Sequence, residues 1–286
     1  EMNKLFNTSE NVGVRHYSAE EFVTLYNTSS VVSMESIGDF FHSVRDKLNT
    51  LSSSLLSNTD TALVDALANQ YEVKNVLKRV HFSDLAHENV VIPERFEGQY
   101  TAYLKTLTDS SKVIVPDVEQ LINNLKMAVS SFINEYSEDG VLTVYGKKYA
   151  KETSKTIETH RQKVAAFFPI KKSNAVAKVK DVVRSNGDIE TLFLSVRQLE
   201  GHINLNKLKN ISKIAKELSE MVDSLIDLNS RSGILLKNTD AKKDLVKMIH
   251  IGAIAVEFSG YLYSNSVYLY NALGSLSSVV LTVGKR

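Results

Sequence analysis

Cysteine is missing from this chain altogether. Without a thiol there is no disulfide, no thiolate zinc site and no cysteine nucleophile. Proline and glycine are scarce, 3 and 12 among 286 residues, too few for the many tight turns of a β-sandwich or barrel. A dominant charge is lacking as well: 34 basic side chains against 33 acidic ones leave a net of +1, so no global attraction to nucleic acid or membrane follows. The sequence contains no Gly-x-Gly-x-x-Gly, no Gly-Lys-Ser/Thr phosphate loop and no Gly-x-Ser-x-Gly elbow. Its 7 histidines form no two-His metal helix. The nearest approach to a ligand set is His81 and His87 with Asp84 and Glu88, a spacing that fits surface histidines beside a loop better than a metal centre. No catalytic, cofactor-binding or metal-binding residue is assigned, and the chain reads as non-enzymatic.

What is present is helical periodicity. An apolar share of 43% and a charged share of 23% are those of a chain with a packed core. Residues 1–35 are rich in Asn, Ser, Thr and Glu, without a sustained period. They hold no apolar run of seven, and acids are frequent, so neither a secretory signal nor a mitochondrial presequence is expected. Met2 reads as the initiator, with Glu1 an extra residue before it. From Ser36 the pattern changes: Ile37, Phe40, Phe41, Val44, Leu48, Leu51 and Leu55 fall on one stripe of an amphipathic helix, with Ser36 as its cap and Asp39 at its positive end. Helical character continues through Leu67, Val73, Val76 and Leu77, and Val90-Val91-Ile92 before Pro93 reads as extended.

A long helix is expected from Phe96 to Tyr136 with a boundary or kink at Pro116. Val141–Tyr145 reads as a short strand or loop, 147–168 as a very polar helix, 174–184 as strand or helix, and Asn186-Gly187-Asp188 as a turn. Two long helices close the chain, one over 204–230 and one from Asp240 to about Leu281. The fold class is therefore mainly α, an elongated multi-helix bundle with at most a few short strands. Its expected organisation is a leader over 1–35, a helical region over 36–140, and a second over 141–286 packed with the first.

Two stretches admit more than one reading. Residues 258–284 carry no formal charge, long enough to span a bilayer. A membrane-inserting hairpin is one reading, and the central helix of a large bundle is the other. Ser264, Asn265, Ser266, Asn271, Ser275, Ser277 and Ser278 favour the central helix, because their polar groups are costly in hydrocarbon. The second stretch is basic: Lys147, Lys148, Lys151, Lys155, Arg161 and Lys163 cluster on one polar segment as a candidate phosphate-contacting face. Glu152 and Glu158 are interleaved, and a solvated helix surface is the blander alternative.

Ser33-Met34-Glu35 immediately precedes Ser36 and the first strong helix. A small residue, any residue, then Glu is similar to the recognition sequence of prohead proteases from giant tailed phages, which cut after the Glu. The whole layout, a polar propeptide followed by a Cys-free helical body, resembles the internal head (inner-body) proteins of that phage group. The phrase Ile92-Pro93-Glu94-Arg95-Phe96-Glu97-Gly98 leading to Tyr103-Leu104-Lys105-Thr106-Leu107 is a further likeness. The resemblance implies cleavage between Glu35 and Ser36, with the prohead protease and other capsid components as partners. It also implies non-specific DNA contact, ejection with the genome toward a host protein target, and a location inside the phage head and in the host cytoplasm. Other small-x-Glu triplets, such as Ala150-Lys151-Glu152 and Ala215-Lys216-Glu217, fall in expected helices, where a protease needs local unfolding.

Charge fits the same plan. Residues 1–35 hold Lys4 and Arg15 against Glu1, Glu10, Glu20, Glu21 and Glu35, a net of −3, so the remainder carries +4 of the overall +1. Two other classes stay open: a membrane-active or secreted effector using the apolar C-terminal helix, and a non-catalytic binding or scaffolding module.

Overall fold

The protein is described from a computed structural model, which places residues 67–93, 98–135, 144–167, 174–232 and 239–286, with His42, Arg45, Asp46, Asn49 and Ser53. Among these residues 85% are helical, and the fold is mainly α. In chain order the elements are α1 (Gln70–Leu77), α2 (Phe82–Ala86), β1 (Asn89–Pro93), α3 (Tyr100–Glu135), α4 (Val144–Phe167), β2 (Asn174–Lys178), α5 (Val179–Val182), α6 (Asn186–His202), α7 (Leu205–Ser232) and α8 (Thr239–Val283).

The apolar run near the C-terminus is the 45-residue α8, and it lies at the centre. It packs against α3, β1, α4, α1, α7, α6 and α2. Ile251, Ala253, Ala255, Val256, Phe258, Leu262, Leu269, Leu273, Leu276 and Val280 are all buried, so the helix is covered on several sides, which is why it is apolar nearly all round. Four of its buried polar side chains are satisfied by the helix itself. Ser259 Oγ donates to Ala255 O (3.1 Å), Asn265 Nδ2 to Tyr261 O (2.8 Å), Ser266 Oγ to Leu262 O (2.9 Å) and Ser277 Oγ to Leu273 O (2.7 Å). Each bond reaches back one turn.

Helix α3 is the second pillar. It packs against α4, α6, α7 and α8, burying Leu104, Leu107, Ile114, Val118, Leu121, Ile122, Leu125 and Val129. The helix does not stop at Pro116. Pro116 and Lys112 are both exposed, so the carbonyl that proline leaves without its helical donor lies on the water side and can be hydrated. The N-terminal end of α3 starts after Gly98, whose φ of 68° is a left-handed backbone that glycine adopts without Cβ strain; its N–H donates to Asp181 O (2.8 Å). Tyr100, fully buried, then donates its hydroxyl to Leu269 O of α8 at 2.6 Å.

The segment 174–184 is both things the sequence allowed: β2 followed by the single turn of α5. β1 and β2 pair antiparallel with Val91 opposite Val176. Val90 and Ile92 point into the core while Val91 and Val176 face out, the two-residue alternation of a strand. The free edge of β1 is closed by α8, with Val91 N–H donating to Ser275 Oγ (2.9 Å).

Two local expectations are corrected. Val144 and Tyr145 belong to the first turn of α4 rather than to a strand or loop, because β-propensity over two residues gives way to the helix that follows; Val141–Thr143 lie outside the described residues. Asn186-Gly187-Asp188 is the first turn of α6 instead of a connecting turn. Ser185 Oγ accepts from Asp188 N (3.1 Å) and Asp188 Oδ2 from Arg184 N (2.8 Å), so the polar residues serve as a cap. At the expected first helix, His42, Arg45, Asp46, Asn49 and Ser53 are helical, and Arg45 reaches Asp223 of α7 at 2.9 Å.

Candidate functional site

Ser33, Met34, Glu35 and Ser36 lie outside the described residues. The basic segment, in contrast, is the helix α4. Its inner face is Thr153, Ser154, Ile157, Glu158, Arg161 and Val164, all buried. Its outer face presents Lys148, Lys151, Glu152, Lys155 and Lys163, so Lys148, Lys151 and Lys155 share one stripe at i, i+3 and i+7. Glu152 sits in that stripe, its carboxylate 3.9 Å from Lys148 Nζ. Lys147 is on α4 too, with its side chain outside the described set.

Arg161 is a correction to the candidate face: it is turned inward, 5% exposed. Six residues beyond Lys155, at about 100° per residue, a side chain has left the stripe. Its Nε lies 3.5 Å from Glu158 Oε2, and Glu158 Oε1 accepts from Gln162 Nε2 (2.8 Å). Ser110 and Ser111 of α3 and Asn265 of α8 are buried as well, and Ser110 Oγ lies 3.0 Å from His160 Nδ1. His160 is held below the ordinary imidazole range by burial and then by Lys163, against the opposing pull of Asp109 and Asp117. A serine beside a histidine base has the geometry of a nucleophile, and Ser110 is 1% exposed. The contact ties α4 to α3.

His81 N–H donates to Asp84 Oδ2 (3.2 Å) at the start of α2, and Glu88 Oε1 accepts from Arg286 Nη1 (2.6 Å). Among the described residues no group of three His, Asp or Glu converges as a metal site would require.

A second basic face lies on the N-terminal half of α7, where the apolar stripe dominates the sequence pattern. Leu208, Ile211, Ala215 and Leu218 are buried, and between them Lys209, Lys213 and Lys216 are exposed. No acid occurs from Leu205 to Lys216. Lys207 is engaged in capping α6, donating to Gly201 O (2.8 Å) and His202 O (3.1 Å), where a cation suits the negative helix end. Glu217 is neutralised by Lys126 of α3, whose hydrogen bond holds its carboxyl below the usual range. Glu119 accepts from Asn210 Nδ2 (3.2 Å). His202 is lowered by burial first, then by Lys207 and Lys112, as expected in a positive local field. The spacing Lys209, Lys213, Lys216 was the available signal.

Comparison with protein families, with curated proteins and with solved structures finds no match for this chain.

Proposed function

We propose that the chain is an internal capsid protein of a giant tailed phage. It is non-enzymatic, made with a polar leader, and matured by cleavage between Glu35 and Ser36. The observation that carries the reading is the position of Ser33-Met34-Glu35, immediately before the first sustained apolar stripe of the sequence. Support comes from a helical core whose described members run from Val73 to Val280 and from the +4 that remains once residues 1–35 are set aside. A mildly basic body is electrostatically at ease beside packaged DNA. The prohead protease and neighbouring capsid proteins are its partners during assembly, with the virion interior as its location. A host target after ejection completes the proposal. Mass spectrometry of the protein from its natural particle is expected to give an N-terminus at Ser36; an intact Met2 would remove the reading.

One observation favours a second reading. Among the described residues one helical stretch, Ile251–Val283, is long and apolar enough to cross a membrane, with a mean hydropathy of 1.3. A membrane-active effector would release it from the bundle. Leakage of dye from vesicles by the native chain supports that reading, and leakage only after denaturation opposes it.

A further inference from the structure

We infer that Asn186 and Gly187 form a deamidation site that the fold keeps closed, and that modification there bars the chain from regaining its native packing. The inference is independent of the capsid reading and of cleavage after Glu35. Asn186-Gly187 is the one Asn-Gly pair in the sequence. Glycine has no Cβ to screen its own amide nitrogen, so here an asparagine side chain is most open to attack by the backbone that follows it. In the opened chain, hydroxide takes the proton of the Gly187 N–H, and the nitrogen bonds to Asn186 Cγ. The side-chain nitrogen takes up a proton from water and leaves as ammonia, and a cyclic imide remains. Water then adds to either imide carbonyl and breaks its C–N bond, giving an aspartyl or an isoaspartyl residue.

Two features hold the pair closed. Asn186 and Gly187 are the first residues of α6, a helical turn fixed by Ser185 Oγ, which accepts from Asp188 N (3.1 Å). The Asn186 amide is pinned as well: Nδ2 donates to Leu77 O (2.9 Å) and to Val80 O (2.8 Å). Those carbonyls lie at the C-terminal end of α1 and just beyond it, where a helix leaves its last carbonyls without donors. Ring closure needs Asn186 Cγ to swing onto the Gly187 nitrogen, so both bonds must break first and the turn must open. The same bonds decide the consequence. Both amide protons are spent on carbonyls, and Asn186 Oδ1 is buried with no partner among the described residues. A carboxylate in this place therefore meets two acceptors and no donor, at the negative end of α1. Isoaspartate is worse, since it also adds a methylene to the main chain within the first turn of α6. Either product loosens α1, whose Val73, Val76 and Leu77 are buried, from its seat on α6. The pair thus acts as a one-way record of unfolding.

The test incubates the full chain at mildly alkaline pH with and without urea, and follows the peptide holding Asn186 by mass spectrometry and isoaspartate content. Deamidation of the folded protein should be at least roughly ten-fold slower than in urea, because only the open fraction reacts. Gly187→Ala screens the attacking nitrogen and spares the fold, since an added Cβ meets only Ser185 Oγ, at 3.6 Å. That variant should keep Asn186 intact in urea over the period in which the parent loses it. Asn186→Asp supplies the product directly. In urea melts at neutral pH its folding constant should be lower than the parent's by about ten- to hundred-fold, the effect of a buried carboxylate without donors. Gly187→Ala should equal the parent or exceed it by up to about five-fold, the gain of alanine over glycine in a helix. A folded chain that deamidates as fast as the unfolded one overturns the inference. So does an unfolded parent whose Asn186 persists as long as that of Gly187→Ala, or an Asn186→Asp variant as stable as the parent.

Discussion

Raising the pH should unfold this protein through its buried tyrosines, and removing one hydroxyl should make the stability curves cross. Tyr100 is 2% exposed, with its hydroxyl 2.6 Å from Leu269 O. Burial, reinforced by Tyr270, pushes its ionisation above the ordinary 10.0. Tyr261, 8% exposed, is pushed up to about 12, chiefly by burial. Both groups are neutral acids whose folded pKa exceeds the unfolded one. The unfolded chain therefore holds fewer protons above pH 10, and stability falls as pH rises past it.

Each such group contributes a slope of about 1.4 kcal/mol per pH unit. Over the two units from 10 to 12 the pair costs roughly 5 kcal/mol, comparable with the whole net stability of many domains. Tyr100→Phe removes one hydrogen bond, about 1 kcal/mol at neutral pH, and one of the two slopes, a few kcal/mol by about pH 12. The variant should be the weaker protein at neutrality and the stronger near pH 12, the lost slope then outweighing the lost hydrogen bond by about 1–2 kcal/mol. Urea melts followed by helical circular dichroism at each pH measure this directly. Parallel curves for the two proteins across pH 10–12 would refute the reasoning, because they would mean that Tyr100 ionises as readily in the fold as out of it.

Three further outcomes follow from the packing. Leu273→Ala, at a fully buried position of α8, should cost roughly 2–5 kcal/mol in urea or thermal melts; a loss below 1 would contradict the central placement of that helix. Arg161→Met strands the buried Glu158 and should cost roughly 3–5 kcal/mol, whereas Arg161→Met with Glu158→Gln should recover most of it; an additive double variant would show that the two side chains are not coupled. Ser185→Ala removes the hydroxyl that accepts from Asp188 N and should cost about 1 kcal/mol, read as a lower melting temperature.

Much of this architecture could be read from periodicity alone. α7 and α8 begin and end within a few residues of the apolar patterns that announce them, since a stripe long enough to fill one face leaves few alternatives. Pairing at long range was not readable: Val90-Val91-Ile92 is visibly extended, but nothing local says that Asn174–Lys178 is its partner. Arg161 looked like part of a basic row because composition does not record which way a side chain turns. Ser110 interrupts the stripe of α3, and only its place opposite His160 explains why. The serines of α8 suggest a protein interior in the sequence, but Ser259, Ser266 and Ser277 bond to their own helix, a solution available in lipid as well. What marks α8 as the core is the ring of helices around it. The lysines of α7 recur at i, i+4 and i+7 beside an apolar stripe that by itself accounts for the helix.

The centrality of α8 also fixes an order of events during synthesis. Every other described element leaves the ribosome before the helix they surround, so the inward faces of α3, α4 and α7 must wait for their common partner. Until α8 arrives, those faces are sticky and unpaired, and the nascent chain depends on speed or chaperones to escape aggregation. Premature termination before Thr239 would thus leave a shell without its axle.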